Sequence, residues 1–262
     1  MRVAAVVELG WDAASIEVDA VSGAIDRSRA VPAPSPGSPE AVELALALGE
    51  AHVFGLGAAE VEALLRECLA LGASVAAAAP DAYALAAALA GGGFDLVLVP
   101  HRSPDGGAGP VAGLLAGLLD LPQATGVESL TVEGAEARVV RRLDRGEREE
   151  LAVPLPAVIG VEPGIARPRA ASPAALIAAR SAPVAALPPA RDAPRPVFLG
   201  HRPPRPGPPR MPAPAGALPA EARIAVVVGT EADGRQRELV TGTADEVAAR
   251  IVELLEAAGY LG

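Results

Sequence analysis

Phe94–Gln123, with the sequence FDLVLVPHRSPDGGAGPVAGLLAGLLDLPQ, contains the pattern that decides the fold. Leu96–Val99 is a short apolar run, which is typical of a strand buried on both faces. The glycine-rich segment Asp105–Gly109 follows it, and Pro110 suits the first position of a helix, where its missing N–H is no loss. Five further residues then predict an apolar helical face: Val111, Leu114, Leu115, Leu118 and Leu119.

A strand, a glycine-rich loop and a helix in this order present backbone N–H groups and a positive helix end to a phosphate. The alternative is that the glycines only turn the chain. The loop matches neither GxGxxG nor GxxxxGK[ST], so the pattern alone leaves both interpretations open.

Composition limits the class of protein. The chain has 262 residues, half of them hydrophobic, and a net charge of -10, which argues against a dedicated nucleic-acid binder. Cys68 is the single cysteine, so neither an intramolecular disulfide nor a cysteine-rich metal site is expected. The first residues lack a signal-peptide signature, and no apolar run is long enough to span a bilayer. A cytoplasmic protein is the expectation.

Strands and helices of similar length alternate along the first part of the chain. Strands are predicted at Arg2–Val7, His52–Leu56, Val75–Ala79 and Leu96–Val99. Helices are predicted from an N-cap at Ser38 to Leu48, at Ala58–Leu71 and at Asp81–Ala90. The pattern predicts a doubly wound α/β domain with a mostly parallel sheet. The loops after Val7, Leu56 and Val99 are therefore expected to meet at the carboxyl edge, where such sheets bind ligands.

The connections around the first strand are predicted as irregular. Glu8–Ala13 is predicted to be an exit loop, and Pro32–Pro39 a second loop rich in proline, serine and glycine. Ser15–Val21 alternates apolar and polar residues, as an edge strand or hairpin arm does.

Antiparallel structure is predicted in the middle of the chain. A meander is predicted with strands at Gly126–Val132, Glu136–Leu143 and Glu149–Val153 and turns at Glu133-Gly134 and Arg145-Gly146. Ala157–Val161 is predicted to be another buried strand. Ser172 is a predicted cap, with Pro173 at the first position of a helix that runs to Arg180.

The last third of the chain changes in composition. Ala182–Ala222 is rich in proline and arginine and is predicted to be an extended arm. Arg223–Gly262 is predicted to be a small unit whose elements are strands at Ile224–Val228 and Gln236–Val240, a capping box at Thr243–Glu246 and a helix that Gly259 ends.

No pattern of catalytic residues is apparent. The three histidines, His52, His101 and His201, lie in separate elements without ligand spacing. His101 follows the predicted strand at the ligand edge, where it could contact a phosphate or a base. Neither a hydrolase nor a metalloenzyme signature is present, so a standalone enzyme is the least favoured class.

Several segments, in order and with few gaps, resemble the β subunit of electron transfer flavoproteins, the family that includes the FixA proteins. They are AVELAL at Ala41–Leu46, LALGA at Leu69–Ala73, LLDLPQAT at Leu118–Thr125, VEG at Val132–Gly134, LPAV at Leu155–Val158 and RPR at Arg167–Arg169. The resemblance implies a Rossmann-like, adenine nucleotide alpha hydrolase-like nucleotide-binding domain at residues 1–185. The arm then occupies 186–222 and the small unit 223–262. This long carboxy-terminal extension resembles a divergent branch associated with mycofactocin redox systems.

The resemblance also implies a function. Such β subunits are electron carriers without catalytic residues of their own, and each forms a heterodimer with an α subunit that carries most of the FAD site. The β subunit holds a second nucleotide, usually AMP, or a second flavin in bifurcating members. One of its loops recognises a dehydrogenase, the electron donor.

Site residues are implied by position within the family. Nucleotide contacts are implied at Val6, Ser35, Pro36, Gly37, Ser38, Leu56, Gly57, His101, Arg102, Ser103, Asp105, Gly106, Gly107, Ala108, Gly109 and Val111. The partner loop is implied at Ala170–Ala178, with contacts at Arg169, Ala170, Pro173, Ala174, Leu176 and Ile177.

The chain departs from the family pattern at these sites. Ser35-Pro36-Gly37 stands where an Asn-Pro-aromatic piece is usual, and the glycine-rich loop lacks the usual polar side chains. Glu8 lies near the position of a usual cation, and Pro173 replaces an exposed leucine anchor. The resemblance therefore implies a weakened AMP site and a dehydrogenase other than the usual acyl-CoA one. The competing hypothesis is a nucleotide-binding module or scaffold without electron transfer.

Overall fold

The computed structural model describes residues 1–19, 25–26, 28–57, 61–103, 109–190 and 241–257. The chain divides into two units, Met1–Arg202 and Pro203–Gly262, which are described separately. Within the described ranges, no helix has the length and apolar character needed to cross a membrane.

The first unit contains the following strands: β1 (Arg2–Trp11), β2 (Glu17–Val18), β3 (Ile25–Asp26), β4 (Pro32–Pro34), β5 (Glu50–Leu56), β6 (Val75–Ala79), β7 (Leu96–Pro100), β8 (Gln123–Glu133), β9 (Glu136–Arg142), β10 (Arg148–Pro154), β11 (Ala157–Val161) and β12 (Ala185–Ala186). Its helices are α1 (Ser38–Leu48), α2 (Val61–Leu71), α3 (Ala82–Ala90), α4 (Pro110–Leu119) and α5 (Pro173–Ala179). The described part of the second unit contains one further helix, α6 (Ala244–Ala257).

The large sheet has the order β10-β9-β8-β11-β7-β1-β5-β6-β12, and β4 pairs with the end of β1. The strands from β8 to β12 in that order are parallel, whereas β9 and β10 continue from β8 as an antiparallel meander. The predicted α/β class, the mostly parallel sheet and the meander are therefore confirmed.

Helices cover both faces of the parallel part because side chains alternate along each strand. On β1, Val3, Ala5 and Val7 contribute to the core beneath α1 and α2. Ala4 and Val6, on the same strand, contribute to the opposite core beneath α3 and α4. Strands buried on both faces need continuous apolar sequence, which explains why Leu96–Val99 has no polar residue.

The first strand is longer than predicted. Glu8 to Trp11 continue β1 instead of forming an exit loop, because Leu9–Trp11 pair with Pro32–Pro34 in antiparallel register. The loop predicted at Pro32–Pro39 therefore begins with an edge strand, which tolerates proline because one side of it needs no partner. The hairpin arm predicted at Ser15–Val21 is confirmed only as the short β2, which pairs with β3.

The predicted N-cap of α1 was wrong by one residue. Gly37 is the N-cap, with a φ of 93°, and Ser38 is already helical. The Oγ atom of Ser38 accepts a hydrogen bond from the N–H of Glu8 at 3.1 Å, so it links the helix to β1 instead of capping it.

The apolar face predicted for α4 is shifted. Ala112, Leu115 and Ala116 are its buried residues, whereas Leu118 is 43% exposed. Nearly every residue of this helix is apolar, so periodicity could not identify the buried side. The predicted strand β7 and the start of the helix at Pro110 are confirmed.

The arm predicted from Ala182 begins as part of the sheet. Ala185 and Ala186 form β12, which pairs in parallel with Ala77 and Ala78 of β6. Residues 191–222 of the arm lie outside the described residues, as do the two strands predicted at Ile224–Val228 and Gln236–Val240.

Two predicted helix starts are confirmed in detail. The Oγ atom of Ser172 accepts a hydrogen bond from the N–H of Ala175 at 3.2 Å. In the capping box of α6, the N–H of Thr243 donates to Glu246 at 2.8 Å, and the N–H of Glu246 donates to Thr243 at 3.4 Å. Gly259, the predicted end of α6, lies outside the described residues.

Two leucines of α4 provide a test of the orientation of this helix. Leu115→Ala should lower the free energy of unfolding by about 2–5 kcal/mol, because a fully buried side chain leaves a cavity. The matched control Leu118→Ala removes the same atoms from a partly exposed position and should cost less than about 1 kcal/mol. Urea denaturation measures both values, and equal losses would contradict the orientation.

Candidate functional site

Parallel pairing aligns the carboxyl ends of four strands at one edge of the sheet. Glu8 of β1 lies opposite Leu56 of β5, and Pro100 of β7 lies opposite Val161 of β11. The described residues that follow β5 and β7 therefore lie at this edge, whereas β1 continues beyond it to Trp11 in place of the loop predicted after Val7. Val6 lies just below this edge with its side chain fully buried, so only its backbone is near the loops.

The Ser35–Ser38 segment is fixed to the edge by hydrogen bonds. Ser35 is fully buried; its N–H donates to the carbonyl of Glu8 at 2.8 Å, and its hydroxyl donates to the carbonyl of Arg102 at 3.0 Å. Pro36 and Gly37 complete the turn into α1. The hydroxyls of Ser35 and Ser38 thus tie β1, α1 and the loop after β7 together.

Gly37 allows this close approach. A Cβ atom at Gly37 would lie 3.1 Å from the carbonyl oxygen of Val161 and 3.4 Å from the Cα atom of Pro100. With a φ of 93°, the residue also has a backbone conformation that side chains disfavour. A glycine is therefore favoured at this position.

The loop after β7 is described at both ends. The N–H of His101 donates to the carbonyl of Val161 at 2.9 Å, and Arg102 and Ser103 follow. Gly109, with a φ of 54°, lies so close to the carbonyl of His101 that a Cβ atom would overlap it. Val111 packs against the core below α4. Asp105, Gly106, Gly107 and Ala108 lie outside the described residues.

Leu56 and Gly57 end β5 at the same edge, but they contact a different surface. Leu56 packs against the core beneath α3 and α4, and the N–H of Gly57 donates to the carbonyl of Ala79 at 3.2 Å. Gly57 lines a mainly apolar cleft of about 340 Å³ with Pro80 and Leu187. The edge therefore has an apolar side near β6 and β12.

A polar cleft of about 580 Å³ lies on the other side, where the loop after β7 meets the turn between β9 and β10. Its charged or titratable lining residues are His101, Arg102, Arg142, Arg145 and Glu162, and Leu143 and Gly146 complete it. We refer to it as the arginine cleft. Arg142, Arg145 and Glu162 were not predicted as site residues. Arg145 was predicted only as part of a turn. Glu162 directly follows a buried strand, and this position is the sequence feature that could have identified it as a site residue.

Glu162 organises the cations of the arginine cleft. Glu162 is only 8% exposed, and its Oε1 atom lies 3.5 Å from Nε2 of His101 and 3.8 Å from Nε of Arg102. Burial lowers the pKa of His101 below its ordinary value of 6.5. The Glu162 carboxylate opposes this shift, and Arg102 and Arg142 add to it. His101 is therefore mainly neutral at neutral pH.

The lowered pKa couples His101 to stability. The native chain binds a proton at His101 less tightly than the unfolded chain, whose histidine has a pKa of about 6.5. Protonation consequently lowers the free energy of unfolding as the pH falls below about 6.5, and it has no effect well above that value.

The predicted partner loop separates into an anchored end and an exposed end. Arg169 donates two side-chain hydrogen bonds to Glu43 of α1, at 2.8 and 2.7 Å, and these contacts lower the pKa of Glu43. After Ala170, Pro173 and Ala174 begin α5. This helix packs against α2 and leaves Leu176 40% and Ile177 64% exposed. Arg169 therefore positions the loop, whereas the two apolar residues are accessible.

The described site residues thus fall into two separate groups. The nucleotide contacts implied around β1, β5 and β7 share the carboxyl edge, and those of the partner loop lie on and before α5. The fold is that of an α/β protein with a mostly parallel central sheet.

Comparison with known proteins identifies the family. The electron transfer flavoprotein domain family matches residues 22–192, more than half of the chain. The chain therefore belongs to the electron transfer flavoprotein family, and it is β-subunit-like. The electron transfer flavoprotein subunit beta of Bacillus subtilis (strain 168) is 31% identical over 164 residues, which cover 56% of this chain and 63% of that protein. The chain thus matches less than two thirds of the length of this relative.

The charges around His101 provide a test of the cleft geometry. Glu162→Gln should lower the pKa of His101 further, because the carboxylate that favours the imidazolium is lost. Arg142→Gln should raise it. The titration of the ring protons by NMR measures both shifts, with His101→Gln used to assign the resonance. Arg138→Gln, a change at an exposed arginine of β9 that pairs with Glu133, should leave the titration unchanged.

If neither Glu162→Gln nor Arg142→Gln moves the titration of His101, the described arrangement of the cleft is wrong.

Proposed function

We propose that this chain is the β subunit of a heterodimeric electron transfer flavoprotein and relays electrons from a dehydrogenase through FAD held mainly by the α subunit. The family match carries this proposal, together with the loops of four parallel strands at one edge. In this proposal the chain is an electron carrier and not an enzyme. Its working place in the cytoplasm and its relation to the mycofactocin-associated branch stay predictions.

The residues at the edge fit a nucleotide in part. His101 and Arg102 offer donors beside the start of α4, whereas the close approaches at Gly37 and Gly109 are to the chain's own backbone. The hydroxyls of Ser35 and Ser38 are already used within the chain. We therefore propose that AMP, if bound, is held by backbone groups and by the cationic side of the edge, in an adenine nucleotide alpha hydrolase-like domain.

FAD supplies the electron acceptance and donation in this proposal. The described residues of the chain have supporting roles. The Ser35 and Ser38 hydrogen bonds fix the loops at the carboxyl edge, and the Arg169–Glu43 contact fixes the segment before α5. A rigid edge would seat the flavin-carrying subunit, and the exposed residues of α5 would meet the dehydrogenase.

The same two hydroxyls favour a second candidate, a nucleotide-binding module or scaffold without electron transfer. Hydroxyls that already bond to backbone groups of the chain need no ligand to complete their hydrogen bonds. This candidate keeps the family fold and predicts no flavin in any complex.

Coexpression with an α subunit from the same organism tests the main proposal. The expected result is a stable heterodimer that is yellow, whereas this chain alone is colourless. Mass spectrometry of the small molecules released by denaturation should detect FAD from the pair, and AMP from either preparation if the second site is intact. A stable pair without flavin would favour the scaffold. If the two chains do not associate, the proposed heterodimer is wrong.

The exposed end of α5 gives a separate prediction about the dehydrogenase. Ile177→Glu should slow flavin reduction by the host dehydrogenase about tenfold or more, because it places a charge in an apolar contact. Leu118→Glu is the matched control, since Leu118 is 43% exposed on α4, which covers the face of the sheet opposite to α2 and α5. Stopped-flow absorbance measures the rate, and the heterodimer should keep its melting temperature. Equal effects of the two changes would contradict a partner contact at Ile177.

A further inference from the structure

The arginine cleft has an excess of positive charge in a chain that is acidic overall. The guanidinium groups of Arg102, Arg142 and Arg145 line it, and Glu162 supplies the only carboxylate among the lining side chains that the structure describes, which include neither Asp105 nor Asp144. The chain as a whole carries a net charge of -10, so this local reversal does not follow from composition. Concentrated positive charge in a concave site raises the local concentration of anions.

The ion pairs at the cleft leave this charge largely uncompensated. Glu162 lies 3.8 Å from Nε of Arg102 and is shared with His101. Glu128 lies 3.7 Å from Arg142 but 3.0 Å from Arg148, so its carboxylate is shared too. No ion pair of Arg145 occurs within the described ranges. Two carboxylates are thus shared among four basic groups, and the separations of 3.5–3.8 Å to His101, Arg102 and Arg142 mark weak contacts.

Arg145 also has an unusual backbone conformation. Its φ is 63° and its ψ is 18°, in the left-handed region at the tip of the turn between β9 and β10. Glycine and asparagine are the residues that adopt this conformation readily. Arginine is therefore not the residue that the turn itself favours at this position.

We propose that the arginine cleft binds the phosphate group of a phosphomonoester, with Arg142 and Arg145 as its main ligands and Arg102 beside them. A phosphomonoester carries nearly two negative charges at neutral pH, and among the described lining side chains three guanidinium groups face one carboxylate. A ligand with a single carboxylate would neutralise only half of the excess positive charge of these side chains. Guanidinium groups also match phosphate oxygens in geometry, since each offers paired donors.

His101 reports occupancy of this site. The His101 ring lines the same cleft as the three arginines. Its pKa is lowered by burial and by the charges of Arg102 and Arg142. A bound dianion next to the ring favours the imidazolium and raises this pKa. The NMR titration of His101 therefore distinguishes an anion in the cleft from one bound elsewhere on the chain.

His101 and Arg102 also belong to the implied nucleotide contacts, so the assignment rests on the proposed function for the source of the phosphate. That source is either a nucleotide or a free phosphate. The phosphate ligands Arg142 and Arg145, however, come from the meander and lie outside the implied contact set. The phosphate site in the arginine cleft and the proposed nucleotide function can consequently be tested separately.

The experiment uses the full chain at low and constant ionic strength and titrates inorganic phosphate, AMP and adenosine. Calorimetry measures affinity, and the NMR titration follows His101. Phosphate should bind and raise the pKa of His101, and adenosine should do neither. Binding should weaken with added salt, because the three arginines are exposed.

Variants locate the site. Arg142→Gln and Arg145→Gln should each weaken phosphate binding about tenfold or more, whereas Arg138→Gln should leave it within about twofold. Arg145→Asn should also lose binding while the melting temperature stays equal or rises, since asparagine accepts the left-handed conformation. This variant separates loss of the ligand from loss of the fold.

Binding of both phosphate and AMP, weakened by the Arg142 and Arg145 variants, supports a nucleotide phosphate in the cleft. Binding of phosphate alone supports the cleft and counts against AMP as its source. The assignment is overturned if neither anion binds, if His101 does not respond, or if AMP binds with an affinity that the two arginine variants leave unchanged. The last result would leave the proposed nucleotide function intact.

Discussion

The parallel pairing of β1 with β5 on one side and β7 on the other is the constraint from which the architecture follows. A parallel strand in the centre of a sheet is covered on both faces, so each must be apolar along its length and each connection must cross over through a helix. The burial of Val3 to Val7 and of Leu96 to Val99 meets this requirement. The same pairing brings the carboxyl ends of these strands to one edge, where we propose the ligand site.

Two kinds of interaction hold that edge in shape. Buried hydroxyl groups at Ser35 and Ser38 connect three elements through hydrogen bonds, and glycines at 37 and 109 remove side chains where backbones meet. The meander then adds a second wall that does not belong to the parallel sheet. Its turn carries Arg142 and Arg145 to the loop after β7, which gives the edge a cationic side opposite the apolar cleft near Gly57.

This division of the edge places positive charge on one side of the proposed site. The glycine-rich loop has few polar side chains, and Glu8 stands near a position where a cation is usual. The arginines of the meander provide positive charge from another part of the sequence. Arg169 shows a similar change of role: it lies in the implied partner loop, yet its contacts with Glu43 make it a residue that holds the loop in place.

The amino-acid sequence by itself determined the class of fold, the positions of the main strands and helices, the meander and the helix caps at Ser172 and Thr243. These features depend on local patterns: apolar runs, glycine and proline punctuation, and side chains that bond to nearby backbone groups. It also placed His101 at the ligand edge. Only the tertiary structure decided the buried side of α4, because a helix that is apolar all round has no periodicity to read. Likewise, β4, β12 and the extension of β1 depend on pairing with distant residues, and the arginine cleft depends on a turn and a loop some forty residues apart in the chain that meet only when the sheet forms.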